Sequence, residues 1–173
     1  MKDVNKNRLF LIVGMILLAA IMRIVPHVPN FTPIAAMALF GGAYLTNKKL
    51  AFAIPMIAMF LSDLVIGFHS TMWGVYIAFA IVVGIGMLLR ENNSVLKTVG
   101  AAVVSSVVFF VLSNFAVWAS TGMYTPDFNG LTQCYVAAIP FYQYSVLGDL
   151  LYTAVMFGAF EFARVKVPAL SKI

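Results

Sequence analysis

The chain has 173 residues, of which 62% are hydrophobic and only 10% charged, with a formal net charge of +5. Soluble domains carry roughly 45–50% apolar and about 25% charged residues, so no globular core buries this much apolar surface and lipid must cover part of it. The basic residues sit singly or in pairs between apolar blocks with no dense basic face, which excludes nucleic acid as a partner. The single cysteine, Cys134, excludes an internal disulfide and any multi-cysteine metal site.

From the N-terminus, Lys2, Lys6 and Arg8 precede an apolar run over 9–22. The run resembles a signal peptide, but no small-x-small cleavage site follows and apolar segments continue along the chain, so it reads as a first membrane helix. A bilayer-spanning helix needs roughly 20 mostly apolar residues. Six segments fit, at about 9–25, 31–46, 50–68, 72–89, 98–119 and 138–161. Thr32-Pro33 supplies a cap and a first-turn proline for the second, and Pro55 lies in the first turns of the third, where a kink is expected. Gly100, Ala101, Ala102, Ser105 and Ser106 give the fifth the small residues that let helices approach closely in lipid. The fold class predicted is therefore all-α: a polytopic membrane protein with one domain over 1–173, a six-transmembrane-helix bundle.

With six crossings, Lys2, Lys6, Arg8, Lys48, Lys49, Arg90, Lys97, Arg164, Lys166 and Lys172 share one side, and only Arg23 lies toward the other. An odd number of crossings breaks this partition. The positive-inside rule then makes both termini cytoplasmic. The echo of Leu61-Ser62-Asp63-Leu64 in Leu147-Gly148-Asp149-Leu150 is too short to make an internal repeat.

The predicted outer loops hold most of the unusual residues. The first runs from Arg23 through His27 and Asn30 to Phe31, and the second holds His69, Ser70 and Thr71, followed by Trp73 and Tyr76. The third, roughly 120–137, holds Tyr124, Asp127, Asn129, Gln133, Cys134 and Tyr135, with Tyr142, Gln143 and Tyr144 just beyond. An interfacial aromatic belt accounts for such rings without any ligand. A belt belongs at both interfaces, however, and the inner one is poor here, which favours an outward-facing pocket of rings and amides suited to a flat organic molecule.

Charges inside hydrocarbon usually have a partner or a function. Glu161 and Arg164 form an i, i+3 pair. Arg23, Asp63 and Asp149 fall in the outer halves of their helices; they form a buried salt bridge, Arg23 with Asp63 or with Asp149, or they contact substrate or carry protons. Asn114 can join either arrangement. His27 and His69 are too few to define a metal site. Cys134 reads as a small hydrophobe, with ligation of a corrinoid cobalt as the alternative. There is no Walker-type phosphate loop, and no Gly-x-Ser-x-Gly, His-Glu-x-x-His or cysteine-pair motif, so neither an enzyme nor a bound cofactor is expected.

The run from Arg23 through Pro26-His27-Val28-Pro29-Asn30 to Phe40-Gly41-Gly42 resembles a family of small bacterial transport proteins. These in turn resemble the substrate-binding S components of energy-coupling factor transporters. Leu61-Ser62-Asp63-Leu64, Ser113-Asn114-Phe115-Ala116-Val117-Trp118, and 137–141 through Leu147-Gly148-Asp149-Leu150-Leu151-Tyr152 carry the likeness over almost the whole chain. The resemblance implies a six-helix bundle in the bacterial cytoplasmic (inner) membrane and a vitamin-like small molecule held near the outer face. Import then works with an energy-coupling membrane subunit and ATPase pair, or by the protein alone. The Ala-x-x-x-Ala docking pattern of S components is not reproduced by Gly14, Ala19 and Ala20. The expected substrate-binding residues are His27, Asn30, Asp63, His69, Asn114, Trp118, Tyr142 and Asp149. A proton-coupled or passive transporter without an ATPase, with Asp63 and Asp149 as carriers, and a non-transporting scaffold subunit are the alternatives.

Overall fold

The computed structural model describes residues 6–90, 94–167 and 170; Lys2 and Lys172 of the basic partition lie outside them. The described residues are all-helical, with no strand: α1 (Lys6–Met22), α2 (Ile34–Tyr44), α3 (Lys48–Ile66), α4 (Met72–Leu88), α5 (Val95–Ser120) and α6 (Phe128–Lys166). Three of them, α3, α5 and α6, are long and apolar enough to cross a membrane, while α2 and α4 are shorter apolar helices.

Four helices, α1, α3, α5 and α6, begin upstream of their expected starts, and the last three do so for one reason. Asn47 accepts from the N–H of Lys49 at 2.9 Å, Ser94 from Lys97 at 3.5 Å, and Asp127 from Gly130 at 2.7 Å. Each is an N-cap whose side-chain oxygen satisfies a first-turn donor, and a first turn that mixes polar with apolar residues does not extend an apolar run. The correction is largest in α6, which starts at Phe128 rather than near 138 and runs 39 residues. The predicted third outer loop therefore shrinks to residues 121–127. Pro55 and Pro140 lie inside continuous helices, and Pro55 sits against α2, where a Cβ on Gly41 would lie 2.4 Å from its Cγ.

The core is built around α2. Ala35 through Tyr44 are all buried, because α1, α3, α4, α5 and α6 all pack against this helix. Its contact with α4 is backbone on backbone. A Cβ on Gly42 would lie 2.2 Å from the Val83 carbonyl oxygen, and one on Gly86 would lie 2.2 Å from that of Leu39. Reciprocal glycines bring the two axes this close, and dispersion contacts across the seam replace the hydrophobic drive that lipid does not supply.

Arginines close the C-terminal end of α2. Arg90 donates to the carbonyl oxygens of Gly42 at 2.9 Å, Leu45 at 2.6 Å and Thr46 at 3.3 Å, and Arg8 donates to that of Tyr44 at 3.4 Å. These bonds satisfy last-turn carbonyls and set positive charge on the negative end of the helix dipole. The Tyr44 hydroxyl donates to Glu161 at 2.6 Å, and Glu161 pairs with Arg164, also at 2.6 Å. The starts of α1 and α3 and the ends of α2, α4 and α6 thus gather at one basic end of the bundle, and successive helices alternate in direction.

The other end of α2 is different. The expected Thr32 cap with Pro33 in the first turn does not form: Pro33 occupies the cap position, with no side-chain hydrogen bond, and the helix starts at Ile34. Its 11 residues cover about 16 Å at roughly 1.5 Å per residue, against a hydrocarbon core of about 30 Å. Among the described helices it is the shortest.

The glycine seam makes a quantitative expectation. Gly86→Ala drives a Cβ into the Leu39 carbonyl and should lower stability by about 2–3 kcal/mol, whereas Gly84→Ala on the same helix meets nothing within 4 Å. Thermal unfolding in detergent should show a clear fall in Tm for the first and none for the second; equal behaviour would contradict the packing.

Candidate functional site

Where α2 stops, a cavity of about 490 Å³ opens. Three connections reach it: Arg23, Asn30 and Thr32 from the α1–α2 loop, His69 from the α3–α4 loop, and Tyr124 from the α5–α6 loop. Its walls are α5, through Ser106, Phe109, Phe110, Ser113 and Asn114, and α6, through Cys134, Phe141, Tyr142, Ser145 and Asp149. The floor is the start of α2, at Ile34 and Ala35. The hairpin of α5 and α6 holds the walls in register: the Cys134 thiol donates to the Asn114 carbonyl oxygen at 3.4 Å and the Tyr135 hydroxyl to that of Val111 at 2.7 Å. The Phe110 and Tyr142 rings pack at 4.7 Å between centroids. Gly148 lets the chain entering α2 lie against α6, since a Cβ there would be 3.2 Å from the Phe31 Cα and the Thr32 nitrogen.

Two carboxylates at this level are held in opposite ways. Asp63, in the last turns of α3, is ion-paired to Arg23 at 2.9 Å, with side-chain exposures of 3% and 9%. The Arg23 guanidinium also donates to the Ser62 hydroxyl and, at 3.3 Å, to the Met59 carbonyl oxygen. The Tyr76 hydroxyl donates to Asp63 at 2.7 Å. This network ties the residue after α1 to α3 and α4, and it selects Asp63 from the two partners the sequence allowed for Arg23. Asp149, 5% exposed, has no such cation among the described residues; it accepts from the Ser106 hydroxyl at 2.6 Å, and that hydroxyl also lies 3.1 Å from the Ala102 carbonyl oxygen.

Of the eight residues expected to bind substrate, Asn30, His69, Asn114, Tyr142 and Asp149 line the cavity. Asp63 lies behind Arg23, outside the lining. His27 is exposed in its loop, its Nδ1 lying 2.6 Å from the Val25 carbonyl oxygen, and does not line the cavity. Trp118 does not line it either; its indole N–H donates to the Thr125 carbonyl oxygen at 2.9 Å, while that of Trp73 donates to the Ser120 hydroxyl at 2.8 Å. The Trp118 indole thus fastens α5 to the α5–α6 loop, and that of Trp73 fastens the start of α4 to the end of α5. Asn30 adopts φ 65°, a left-handed conformation that asparagine tolerates better than most residues. Asn114 donates back to the Phe110 carbonyl oxygen at 2.8 Å, which fixes its amide against α5.

The residues that sequence reasoning missed are small hydroxyls and rings on helix faces: Ser106, Ser113, Ser145, Phe109, Phe110 and Phe141. No motif marks them, and serine on a membrane helix reads equally well as a packing residue. Among the described residues no group of three or more His, Cys, Asp or Glu could hold a metal ion. His69 lies 2.7 Å from the Thr71 hydroxyl through its Nδ1, and the Cys134 thiol is buried against α5. At the rim, the bond from the Gly130 N–H and that from the Thr125 hydroxyl hold the Asp127 carboxyl below the usual carboxylate range, favouring its charged, capping form.

Fold and site define a class: a chain all-helical over its described residues, with three helices long and apolar enough to cross a membrane and a cavity of rings, amides and hydroxyls whose lining includes one carboxylate, Asp149. The chain belongs to DUF6580, a family of unknown function, whose match covers residues 4–170. No curated protein and no solved structure matches it.

The Arg23 network should behave as a buried ion pair. Arg23→Met leaves the Asp63 carboxylate buried with Ser62 and Tyr76 for neighbours, and should destabilise by about 3–5 kcal/mol. Pairing it with Asp63→Met should recover much of that loss, because a well-packed apolar pair often replaces a buried ion pair without penalty. Denaturation of the single and double variants in detergent measures this; a double variant no better than the single would contradict it.

Proposed function

We propose that this chain is a multi-pass membrane transport protein, similar in kind to the S components of energy-coupling factor transporters, which takes a vitamin or similar small organic micronutrient into its cavity for uptake. The observation that carries the proposal is the cavity of about 490 Å³ at the uncapped start of α2. A helix that stops at mid-depth, with a cavity at its terminus, is a recurring way for membrane transporters to place a binding site near the bilayer centre. Irregular backbone at that depth is tolerated where it lines such a cavity, as residues 30–33 would do here.

Orientation follows from charge. The arginines and lysines gathered at one end set that end in the cytoplasm by the positive-inside rule, and the cavity with its three loops then faces outward. In the membrane reading the helices make six passes, alternating in direction, and the described ends Lys6 and Lys166 are both cytoplasmic. A bacterial cytoplasmic membrane suits this arrangement. Substrate enters from the loop end, is held between α5 and α6 above α2, and leaves as the bundle reorients, through an energy-coupling partner or by the protein's own motion.

The test is ligand occupancy. Gently purified protein, examined by native mass spectrometry and then titrated with a panel of water-soluble vitamins and their precursors, should carry or bind one small organic molecule with sub-micromolar affinity. Competition should weaken when Tyr142→Ala or Asn114→Ala alters the wall. A folded protein that arrives empty and binds nothing in the panel would contradict the proposal.

A further inference from the structure

We infer that the molecule held in this cavity is an organic cation, with its positive charge on or beside a flat ring and paired with Asp149. The inference rests on the cavity being a ligand site, as proposed above, and concerns the charge class of the ligand.

Charge within and around the cavity is unequal. Arg23 is committed to Asp63, Ser62 and the Met59 carbonyl, and His69 is in hydrogen-bond contact with Thr71. Tyr76 donates to Asp63 from α4. Cys134, Tyr124 and Tyr142, which also line the cavity, supply no cation. Asp149 is thus the one carboxylate lining the cavity among the described residues, and the Ser106 hydroxyl is its single hydrogen-bond partner among them. A buried carboxylate is stabilised by a cation or by several donors, or else it takes up a proton; the described residues supply one neutral donor, so a bound cation is what would hold Asp149 charged. Asp149 lies three turns along α6 from Glu161, about 18 Å at helical rise, so the basic cluster at the far end is too distant to neutralise it.

The surroundings of Asp149 select the kind of cation. A bare metal ion asks for several oxygen ligands in a closed shell, whereas Phe109, Phe110, Phe141 and Tyr142 present rings to this cavity. Ring faces attract organic cations, and an ammonium or a ring-borne positive charge set between rings and a carboxylate gains from both. The uncapped start of α2 carries roughly half a positive charge, which favours an anion at the cavity floor. An anionic probe therefore belongs in the test.

The experiment titrates the detergent-purified full chain at pH 7 with three probes of matched shape: benzylammonium, benzyl alcohol and phenylacetate, read by calorimetry or ligand-observed NMR. The expected result is binding of benzylammonium at least about tenfold tighter than either of the others. That preference should disappear in Asp149→Asn and persist in Asp149→Glu. Equal binding of the alcohol, or tightest binding of phenylacetate, overturns the charge assignment while leaving the cavity a ligand site. A cation preference that survives in folded Asp149→Asn overturns the role of Asp149. Should Asp149→Asn fail to fold, the ranking of the three probes on the wild-type chain decides alone. Failure of all three to bind overturns the inference, while the ligand reading falls separately, by the empty mass spectrum described above.

Discussion

The arrangement depends on a backbone contact between α2 and α4. Gly42 and Gly86 let the two helices meet with carbonyl oxygens where side chains would otherwise stand, and this seats an 11-residue helix in the middle of the bundle. Five helices bury it on all sides, and Arg8 and Arg90 close its C-terminal carbonyls. Because α2 is shorter than the helices around it, the space beyond its first turn cannot be filled by more helix. The chain entering at Phe31 and Thr32 leans on Gly148 instead, and what remains is the cavity. The short helix and the cavity are one feature.

Polar groups at the level of the cavity divide into two systems with different work. Arg23, Asp63, Ser62 and Tyr76 form a closed set in which the ionic partners match and donors meet acceptors, and its effect is to hold α1, α3 and α4 together at the loop end. Desolvation offsets much of the Coulomb gain of such a pair, so its value lies as much in fixing which helices meet as in net stability. Asp149 and Ser106 form an open set on the opposite wall. A closed network leaves nothing for a ligand to satisfy, whereas an open one does, and this contrast separates the two aspartates that the similar tetrapeptides around them do not distinguish.

Much of the helical layout was legible in the chain because apolar runs bounded by polar clusters carry it: α1, α3, α4 and α5 fall within a few residues of their expected spans. The misses share a cause. Helix starts at Lys48, Val95 and Phe128 are set by Asn47, Ser94 and Asp127 as caps, and the turns they open mix polar with apolar residues. In α6 ten helical residues were hidden this way, with Pro140 adding to the appearance of a break; the spacing of Asp127 to Gly130 was the available signal. That α2 is short was legible in its expected span of only 31–46, and the structure trims it further to Ile34–Tyr44, with Pro33 in the cap position. Within the cavity, the ionisable and amide members Asn30, His69, Asn114, Tyr142 and Asp149 stood out, since polar groups are rare in such a chain. Trp118 and His27 stood out equally and point elsewhere, because rings that anchor an interface and rings that line a pocket look alike until the helices are placed. The pairing of Ser106 with Asp149 joins residues far apart in the chain, and no local pattern encodes it.

The central claim is that the cavity opens on the face of the membrane opposite the basic end. Side-specific labelling tests it directly: in a Cys134→Ala background, single cysteines are placed at Lys48 and at Tyr124, and intact cells are treated with a membrane-impermeant maleimide before and after lysis. The account predicts that the cysteine at Tyr124 reacts in intact cells, while that at Lys48 reacts only once the membrane is opened. Reaction of both positions from the same side, or of Lys48 alone in intact cells, would contradict it.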